Sequence, residues 1–348
     1  MAIRKGRHRI QEFALIQALA RRFAEKSSNL VQGIGDDAAV IAAPASAWWH
    51  VTTDLLAEGV HFDLRTASAE SVGYRAAMAN LSDIAAMGAS PRYLLVSLAA
   101  PRTFTAARIF ELYEGLIQAC SLHDVALIGG DTSASRAGLF LSITLIGTTI
   151  SGRALFRHGA HVGDCIYVTG TLGDSLAGLQ LLAGGRSKRS TPRPSKPLRK
   201  SHRDYLIHRH LRPTARIGEG RWLNRAGLAT AAIDLSDGLS GDLRHICEAS
   251  RVGAEIDLGA LPISPACSAY AKSRRLCPLE LALTGGEDYE LLFTAPPARQ
   301  TALEQQARTR GFEITRIGTI RPRRFELQMK STDGAMRPIP MTSYEHFH

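Results

Sequence analysis

Acidic residues recur beside short apolar runs along this sequence, often together with glycines. The first group is Gly33-Ile34-Gly35-Asp36-Asp37, in which two glycines permit a tight turn and two acids follow. Acids in comparable contexts are Asp54, Asp83, Asp131, Asp234, Asp237 and the later group Gly285-Gly286-Glu287-Asp288. Each acid alone is also explained as a turn or cap residue that bonds to the local backbone. Their repetition indicates one shared site.

Several carboxylates in one pocket need a cation to neutralise them. Two like charges about 4 Å apart repel by about 4 kcal/mol at an effective dielectric constant of about 20. The neighbouring side chains that could share such a site are hydroxyls, and no histidine or cysteine cluster accompanies them. These hydroxyls belong to Thr52, Thr53 and Ser236. Oxygen-only ligation favours Mg²⁺ or Mn²⁺ over Zn²⁺, and Mg²⁺ commonly holds substrate phosphates, so we predict nucleotide chemistry.

A glycine pair precedes one of these acids. Gly129-Gly130 has the composition of a backbone phosphate cradle and follows a predicted buried strand over 125–128. The sequence contains no GxxxxGK[ST] loop and no protein-kinase catalytic signature. An enzyme that uses a nucleotide without either motif requires another fold.

Alternating helices and strands must position these residues. Hydrophobic periodicity predicts helices over 11–25, 70–87, 106–122, 174–182, 215–225 and 240–250. It predicts a turn and then a strand within 31–41, and further strands over 48–54, 93–100, 125–128, 139–149, 165–169, 229–233, 254–258 and 289–294. The class is therefore mixed α and β, although periodicity does not give the strand order.

Length and composition limit the possible classes of protein. A chain of 348 residues with 45% apolar residues predicts two domains with substantial cores. No apolar run reaches the roughly 20 residues that span a bilayer, so no membrane contact is expected. The five cysteines have no CxxC spacing, which is typical of reduced thiols and predicts a cytoplasmic protein.

The net charge of +10 comes from one segment. Residues 186–216 contain eleven arginines and lysines against one acid, and 186–200 is rich in serine and proline. The composition of 186–200 predicts a solvated, mobile surface loop. Contact with RNA is the alternative, but the basic part lacks aromatic residues for base stacking, so nucleic-acid binding is not expected.

Six groups of residues, in order along nearly the whole chain from Glu12 to Phe347, are similar to the signatures of the thiamine-monophosphate kinase family. They are Gly33–Asp37, Thr53-Asp54 with Glu58–Phe62, Asn80–Gly88, Gly129–Thr132, Asp234–Gly238 and Gly286–Leu291. The chain departs from the family in its longer basic insert, over about 186–204, and at Leu55, where a hydroxyl residue is common.

The resemblance implies an α+β, two-domain fold like that of aminoimidazole ribonucleotide synthetase. The expected domains are an ATP- and Mg²⁺-binding and dimerisation domain over 1–155 and a C-terminal α+β domain over 156–348. The N-terminal domains of two chains are expected to pair in a homodimer. The implied reaction is direct, Mg²⁺-assisted transfer of the γ-phosphoryl of ATP to thiamine monophosphate, which gives thiamine diphosphate in the last step of its biosynthesis.

The resemblance also implies a role for individual residues. Several Mg²⁺ ions would be held by Asp37, Thr52, Thr53, Asp54, Asp83, Asp131, Asp234 and Asp237, with Asp37, Asp54, Asp83, Asp131 and Asp237 essential to catalysis. ATP contacts would come from Gly130, Asp131, Arg157 and Ser236. Substrate contacts would come from His61, Glu287 and Tyr344. Without the resemblance, Arg157 is explained as a surface arginine, and Tyr344 as a residue that pins the C-terminal tail.

Two other enzymes of the same superfamily are alternatives. Selenophosphate synthetase generally uses a reactive cysteine or selenocysteine near its N-terminus, whereas no cysteine precedes Cys120 here. The hydrogenase-maturation dehydratase ends in a cysteine, whereas this sequence ends in His348. We therefore expect neither.

Overall fold

The computed structural model describes Ala18 and residues 21–23, 30–32, 40–41, 46–150, 152–184, 197–331 and 333–339. Its α-helices are α1 (Ala69–Ala86), α2 (Ala106–Ser121), α3 (Asp174–Ala183), α4 (Lys200–Leu211), α5 (Ile217–Ala226), α6 (Leu239–Ser250), α7 (Pro265–Arg274), α8 (Pro278–Thr284) and α9 (Gln300–Arg310). Its strands are β1 (Leu30–Gln32), β2 (Val40–Ile41), β3 (Ala47–Ala57), β4 (Ser90–Pro101), β5 (Ala126–Ser135), β6 (Phe140–Ile150), β7 (Cys165–Thr169), β8 (Ala231–Asp234), β9 (Gly253–Asp257), β10 (Leu291–Ala295), β11 (Ile314–Arg321), β12 (Leu327–Lys330) and β13 (Met336–Pro338).

The chain divides into two compact units. The first contains Met1–Asn80 and Pro91–Thr148, and the second contains Leu81–Ser90 and Thr149–His348. Within the described residues, no helix is both long and apolar enough to cross a bilayer. The assignment of ATP binding and dimerisation to 1–155 stays a prediction.

The first unit contains a four-stranded sheet in the order β3-β6-β4-β5, in which β4 and β5 are parallel. Its helices α1 and α2 approach closely at two glycines. A Cβ at Gly73 would lie 1.9 Å from the carbonyl oxygen of Leu112, and one at Gly115 would lie 1.8 Å from that of Glu70. Any side chain at either position would push the helices apart, so these glycines set the position of the first half of α1.

The predicted helices over 70–87 and 106–122 are confirmed as α1 and α2. In α1, Ala76, Ala77, Met78 and Leu81 are fully buried, so this helix is enclosed on more than the one face that its apolar periodicity predicts. Helix α2 begins at a capping residue, because the side chain of Thr105 accepts a hydrogen bond from the backbone N–H of Arg108.

The second unit contains a seven-stranded sheet in the order β13-β12-β9-β11-β7-β10-β8. Alternate residues of its central strands enter two different apolar clusters. On β7, Ile166 and Val168 belong to one cluster, whereas Cys165 and Tyr167 belong to the other. Because successive side chains of a strand point to opposite faces, both faces of this sheet are buried.

Helices cover the two faces of this sheet. Leu239, Leu243 and Ile246 of α6 join the first cluster, and Trp222 of α5 and Leu303 of α9 join the second. A third cluster unites α3, α4, α7 and α8 beside the sheet.

Among the described residues, four helices and three strands are not predicted from the sequence: α4, α7, α8 and α9, and β11, β12 and β13. Most of the loop predicted over 186–200 lies outside the described residues, and α4 begins at Lys200, so residues 200–204 of the predicted insert are helical. Leu206 of this polar helix is fully buried, and its carbonyl oxygen would lie 2.1 Å from a Cβ at Gly178 of α3. The close approach of the two backbones at Gly178, rather than a wide apolar stripe, accounts for how α4 packs on α3.

Candidate active site

Two loops of the second unit run side by side and carry predicted site residues. We call residues 234–238, between β8 and α6, the acid loop, and residues 285–290, between α8 and β10, the glutamate loop. Three backbone hydrogen bonds join them: Leu235 N to Glu290 O (2.8 Å), Tyr289 N to Leu235 O (3.0 Å) and Glu287 N to Ser236 O (2.8 Å). The predicted metal and ATP residues of one loop therefore lie beside the predicted substrate residue of the other.

Glycine is required where these loops touch. A Cβ at Gly286 would lie 2.5 Å from the carbonyl oxygen of Ser236. Gly238 has a φ of +105°, which disfavours other residues, and a Cβ there would lie 3.0 Å from the backbone of Thr284. The glycines of both motifs thus permit the approach of the two loops.

Negative charge is concentrated around the acid loop. Asp234 is buried and Asp237 half-buried, and the backbone N–H of Asp237 donates to Asp242 Oδ2 at 3.2 Å. Burial, and then the charges of Asp234 and Asp237, raise the pKa of Asp242 to about 8. Carboxylates that oppose one another's ionisation in this way suit a divalent cation.

On strand β3, the predicted ligands divide between two faces. Thr52 and Asp54 are half-buried and share one face, whereas Thr53 points to the other. The Thr53 hydroxyl donates to the carbonyl oxygen of Ile143 on β6 at 2.9 Å and accepts from Thr144 Oγ1 at 3.3 Å. The Thr53 side chain therefore holds β3 to β6.

The glycine pair before Asp131 lies inside a strand. The strand predicted to end at residue 128 continues to Ser135, and Gly129 and Gly130 pair with Leu95 and Val96 of β4. The predicted end is therefore wrong. Gly130 has a φ of +153°, and a Cβ there would lie 1.9 Å from the carbonyl oxygen of Val96, so glycine permits close packing at an irregularity of the ladder.

Asp54 and Asp131 lie on opposite edges of the first unit's sheet, because β3 and β5 are its outer strands. Three strand spacings of about 4.8 Å separate these edges by roughly 14 Å along the sheet. Asp131 is exposed, and its Oδ1 accepts from the backbone N–H of Thr132 at 2.8 Å. Two strands, β6 and β4, therefore lie between the strands that carry these two acids.

His61 lies in the turn after β3. Its Nδ1 accepts from the backbone N–H of Ala57 at 2.9 Å, and its carbonyl oxygen accepts from Arg75 Nη2 at 2.7 Å. A neutral imidazole that accepts at Nδ1 carries its proton on Nε2. His61 is therefore held by its backbone and one ring nitrogen, with Nε2 as the donor.

Asp83 and Arg157 belong to the second unit. Asp83 is half-buried near the C-terminal end of α1, and the turn that follows is held there, because Met87 O accepts from Leu155 N at 3.0 Å. The Arg157 carbonyl oxygen accepts from the Ser250 hydroxyl at 3.3 Å, and its side chain is exposed. The segment carrying Arg157 is thus fixed while its guanidinium stays at the surface.

Two predicted site residues, Asp37 and Tyr344, lie outside the described residues. Among the residues that are described, no three acidic, histidine or cysteine side chains come close enough together to hold a metal ion. A closed protein cage is therefore not formed by this part of the chain. Mg²⁺ commonly uses one or two carboxylates together with substrate phosphates and water, which is compatible with the arrangement of the acid loop.

Comparisons with known proteins cover nearly all of the chain. Residues 35–149 match the model of "AIR synthase related protein, N-terminal domain", and residues 161–330 match that of the C-terminal domain. The thiamine-monophosphate kinase of Bacillus subtilis is 38% identical, over 97% of this chain and 100% of its own. That of Escherichia coli K12 is 40% identical, over 97% of this chain and 98% of its own.

The chain belongs to the thiamine-monophosphate kinase family. The structure of AaThiL complexed with AMPPCP and TMP is 35% identical, with a TM-score of 0.74 and coverage of 97% of each chain. The predicted family and the two-domain α+β fold are therefore confirmed.

In this member of the thiamine-monophosphate kinase family, three residues around the two loops were not among the predicted site residues. Asp242 carries a usable signal, because it is an acid in the first turn of the helix that follows the Asp234–Gly238 motif. Ser175 and His210 carry no such signal: they approach the glutamate loop from α3 and α4.

Proposed function

We propose that this chain transfers the γ-phosphoryl group of ATP to the phosphate of thiamine monophosphate, giving ADP and thiamine diphosphate. The pairing of the acid loop with the glutamate loop carries this proposal, because it brings the metal and nucleotide residues Asp237 and Ser236 beside the substrate residue Glu287. The relation to thiamine-monophosphate kinases over nearly the whole chain supports it.

Mg²⁺ fits the donor set, which is composed of carboxylate and hydroxyl oxygens. Bound Mg²⁺ would neutralise phosphate charge. The residues that we propose to hold it are Asp37, Thr52, Thr53, Asp54, Asp83, Asp131, Asp234 and Asp237. The rise in the pKa of Asp242, caused by burial and by the neighbouring charges of Asp234 and Asp237, supports cation binding at the acid loop.

The remaining residues bind and orient the two substrates. Arg157 presents a forked, permanently charged donor to the triphosphate, with further ATP contacts from Gly130, Asp131 and Ser236. His61 donates from Nε2 to the substrate. The accepting phosphate is already ionised, so alignment and charge neutralisation replace a general base.

We propose that two chains pair through the first unit, in the cytoplasm. The outer strand β3 exposes Val51 by 67% and Leu55 by 60%, and exposed apolar residues on an edge strand are typical of a contact surface. The wide separation of Asp54 from Asp131 in one sheet further supports a site that a second copy completes.

Leu55→Glu is expected to convert the dimer into monomers, because a charge at an apolar contact must be desolvated without a partner. Light scattering after size-exclusion chromatography measures the mass. Leu122→Glu is the matched control, since Leu122 is 63% exposed but lies after α2 rather than on β3. A monomeric wild-type chain would contradict the proposed pairing.

Tyr344→Ala is expected to raise the KM for thiamine monophosphate by several-fold to tens-fold, with the KM for ATP nearly unchanged. An aromatic face against the cationic thiamine ring contributes about 0.5–2 kcal/mol. Steady-state kinetics with each substrate varied in turn measure the selectivity. Equal losses for both substrates, or a fall in Tm that accounts for them, would show that Tyr344 only pins the tail.

An assay of ADP release tests the function itself. We expect release with thiamine monophosphate and little with unphosphorylated thiamine or with no acceptor. Equal release in all three conditions would identify an ATPase rather than this kinase.

A further inference from the structure

The glutamate loop holds an unusual backbone conformation around Glu287. Glu287 has a φ of +65° and Tyr289 a φ of +53°, and neither is glycine. Residues with side chains adopt this region only when their surroundings impose it. The contacts that impose it here come from three elements: the acid loop, α3 and α4.

Buried carboxylates anchor the loop on the C-terminal side of Glu287. The side chain of Asp288 accepts from the backbone N–H of Gly173 at 2.6 Å and from that of Ser175 at 3.0 Å. The carboxylate of Glu290, fully buried, accepts from Arg209 Nη2 at 2.8 Å. Glu287 itself stays accessible, with 28% of its side chain exposed.

His210 is the residue that faces Glu287 from α4. Its ring is 3% exposed, and its Nδ1 lies 3.0 Å from Ser175 Oγ and 3.7 Å from Glu287 Oε2. Ser175 also binds Asp288 through its backbone N–H, so Ser175 and His210 together contact two successive residues of the glutamate loop. Arg209 and His210, adjacent in α4, contact Glu290 and Glu287 respectively.

We propose that His210 is a positioning residue that holds the Glu287 carboxylate in the orientation that receives the positively charged thiamine ring. The inference rests on the proposed function. A glutamate side chain that is partly exposed loses rotamer freedom when it binds a ligand. In its protonated form, the imidazole fixed by Ser175 pairs with the Glu287 carboxylate at 3.7 Å and limits that freedom beforehand, so we expect the affinity for thiamine monophosphate to rise without any contact between His210 and the substrate.

His210→Leu tests the proposal, because it keeps an apolar side chain of similar size and removes the ring nitrogens. We expect the KM for thiamine monophosphate to rise about three- to tenfold. This is the effect expected when one side chain that was ordered beforehand must instead be ordered on binding. The KM for ATP and kcat should stay within about twofold. His210→Asn, whose amide can occupy the place of Nδ1, should restore most of the affinity.

His208→Leu is the matched control, since His208 is an exposed histidine two residues earlier in the same helix. It should leave both KM values unchanged. If His210→Leu lowers Tm strongly, Ser175→Ala is the second variant, because it removes the hydroxyl that fixes Nδ1 while keeping the backbone N–H that binds Asp288.

Combination with Glu287→Gln separates positioning from a general structural effect. If His210 acts through Glu287, adding His210→Leu to Glu287→Gln should produce no further rise in the KM for thiamine monophosphate. Multiplication of the two effects, an equal rise for ATP, or no effect of His210→Leu on an active wild-type background would overturn the inference alone. A wild-type chain that does not phosphorylate thiamine monophosphate would overturn the proposed function and the inference with it.

Discussion

Asp83→Asn is expected to lower kcat by about a hundredfold or more while the chain stays folded. A hundredfold loss corresponds to about 2.7 kcal/mol of activation free energy. Asparagine preserves the size of the side chain but removes the negative charge that we propose for Mg²⁺ binding. The fold should survive, since α1 is held by fully buried residues such as Met78 and Leu81 and by the glycine contact with α2.

Kinetics at a series of Mg²⁺ concentrations measure this effect, with Tm as a check on folding. Glu70→Gln is the matched control, because Glu70 is a carboxylate in the first turn of the same helix and outside the proposed site. It should change kcat by less than about twofold. Near-normal turnover of Asp83→Asn at low Mg²⁺ would show that Asp83 does not bind the metal.

Arg216→Ala is expected to destabilise the chain by about 3–5 kcal/mol. Arg216 donates to both carboxylate oxygens of Glu290, from Nε at 2.5 Å and from Nη2 at 2.6 Å. Glu290 is fully buried, and Thr169 Oγ1 donates to it at 2.6 Å. Removal of Arg216 leaves the buried charge of Glu290 only partly neutralised. The resulting loss of folding stability is far larger than the stability that an exposed ion pair contributes.

Because Arg209 still donates to Glu290 in this variant, we expect a loss near the lower end of that range. Urea unfolding measures the free energy of unfolding. Arg321→Ala is the matched control, because its pair with Glu255 is more exposed, and we expect a loss of less than about 1 kcal/mol. Equal losses in the two variants would show that burial of Glu290 does not set the stability of the glutamate loop.

Local sequence patterns predict many of the elements that carry the site. Helix α1 follows from its apolar periodicity, and β7 follows from a short apolar run before glycine. The acid and glutamate loops are marked by their own residues, because tight turns between buried segments need glycine, and acidic residues stand beside these glycines. These signals are local, and a single sequence contains them.

Long-range contacts could not be predicted in the same way. The glycines at 129 and 130 resemble a loop, but pairing with β4 extends the strand through them. Helix α4 is polar along most of its length, and its packing against α3 and α7 buries Leu206 and His210. The placement of β3 and β5 at opposite edges of one sheet depends on strand order, which periodicity does not contain.

Transfer of label from ATP tests the central claim most directly. The chain is incubated with Mg²⁺, thiamine monophosphate and ATP labelled at its γ-phosphorus, and the products are separated. We predict that the label enters the terminal phosphate of thiamine diphosphate in amounts equal to the ADP formed, and that Asp83→Asn slows this transfer by about a hundredfold or more. Recovery of the label as inorganic phosphate, with thiamine monophosphate unchanged, would contradict the proposed kinase activity.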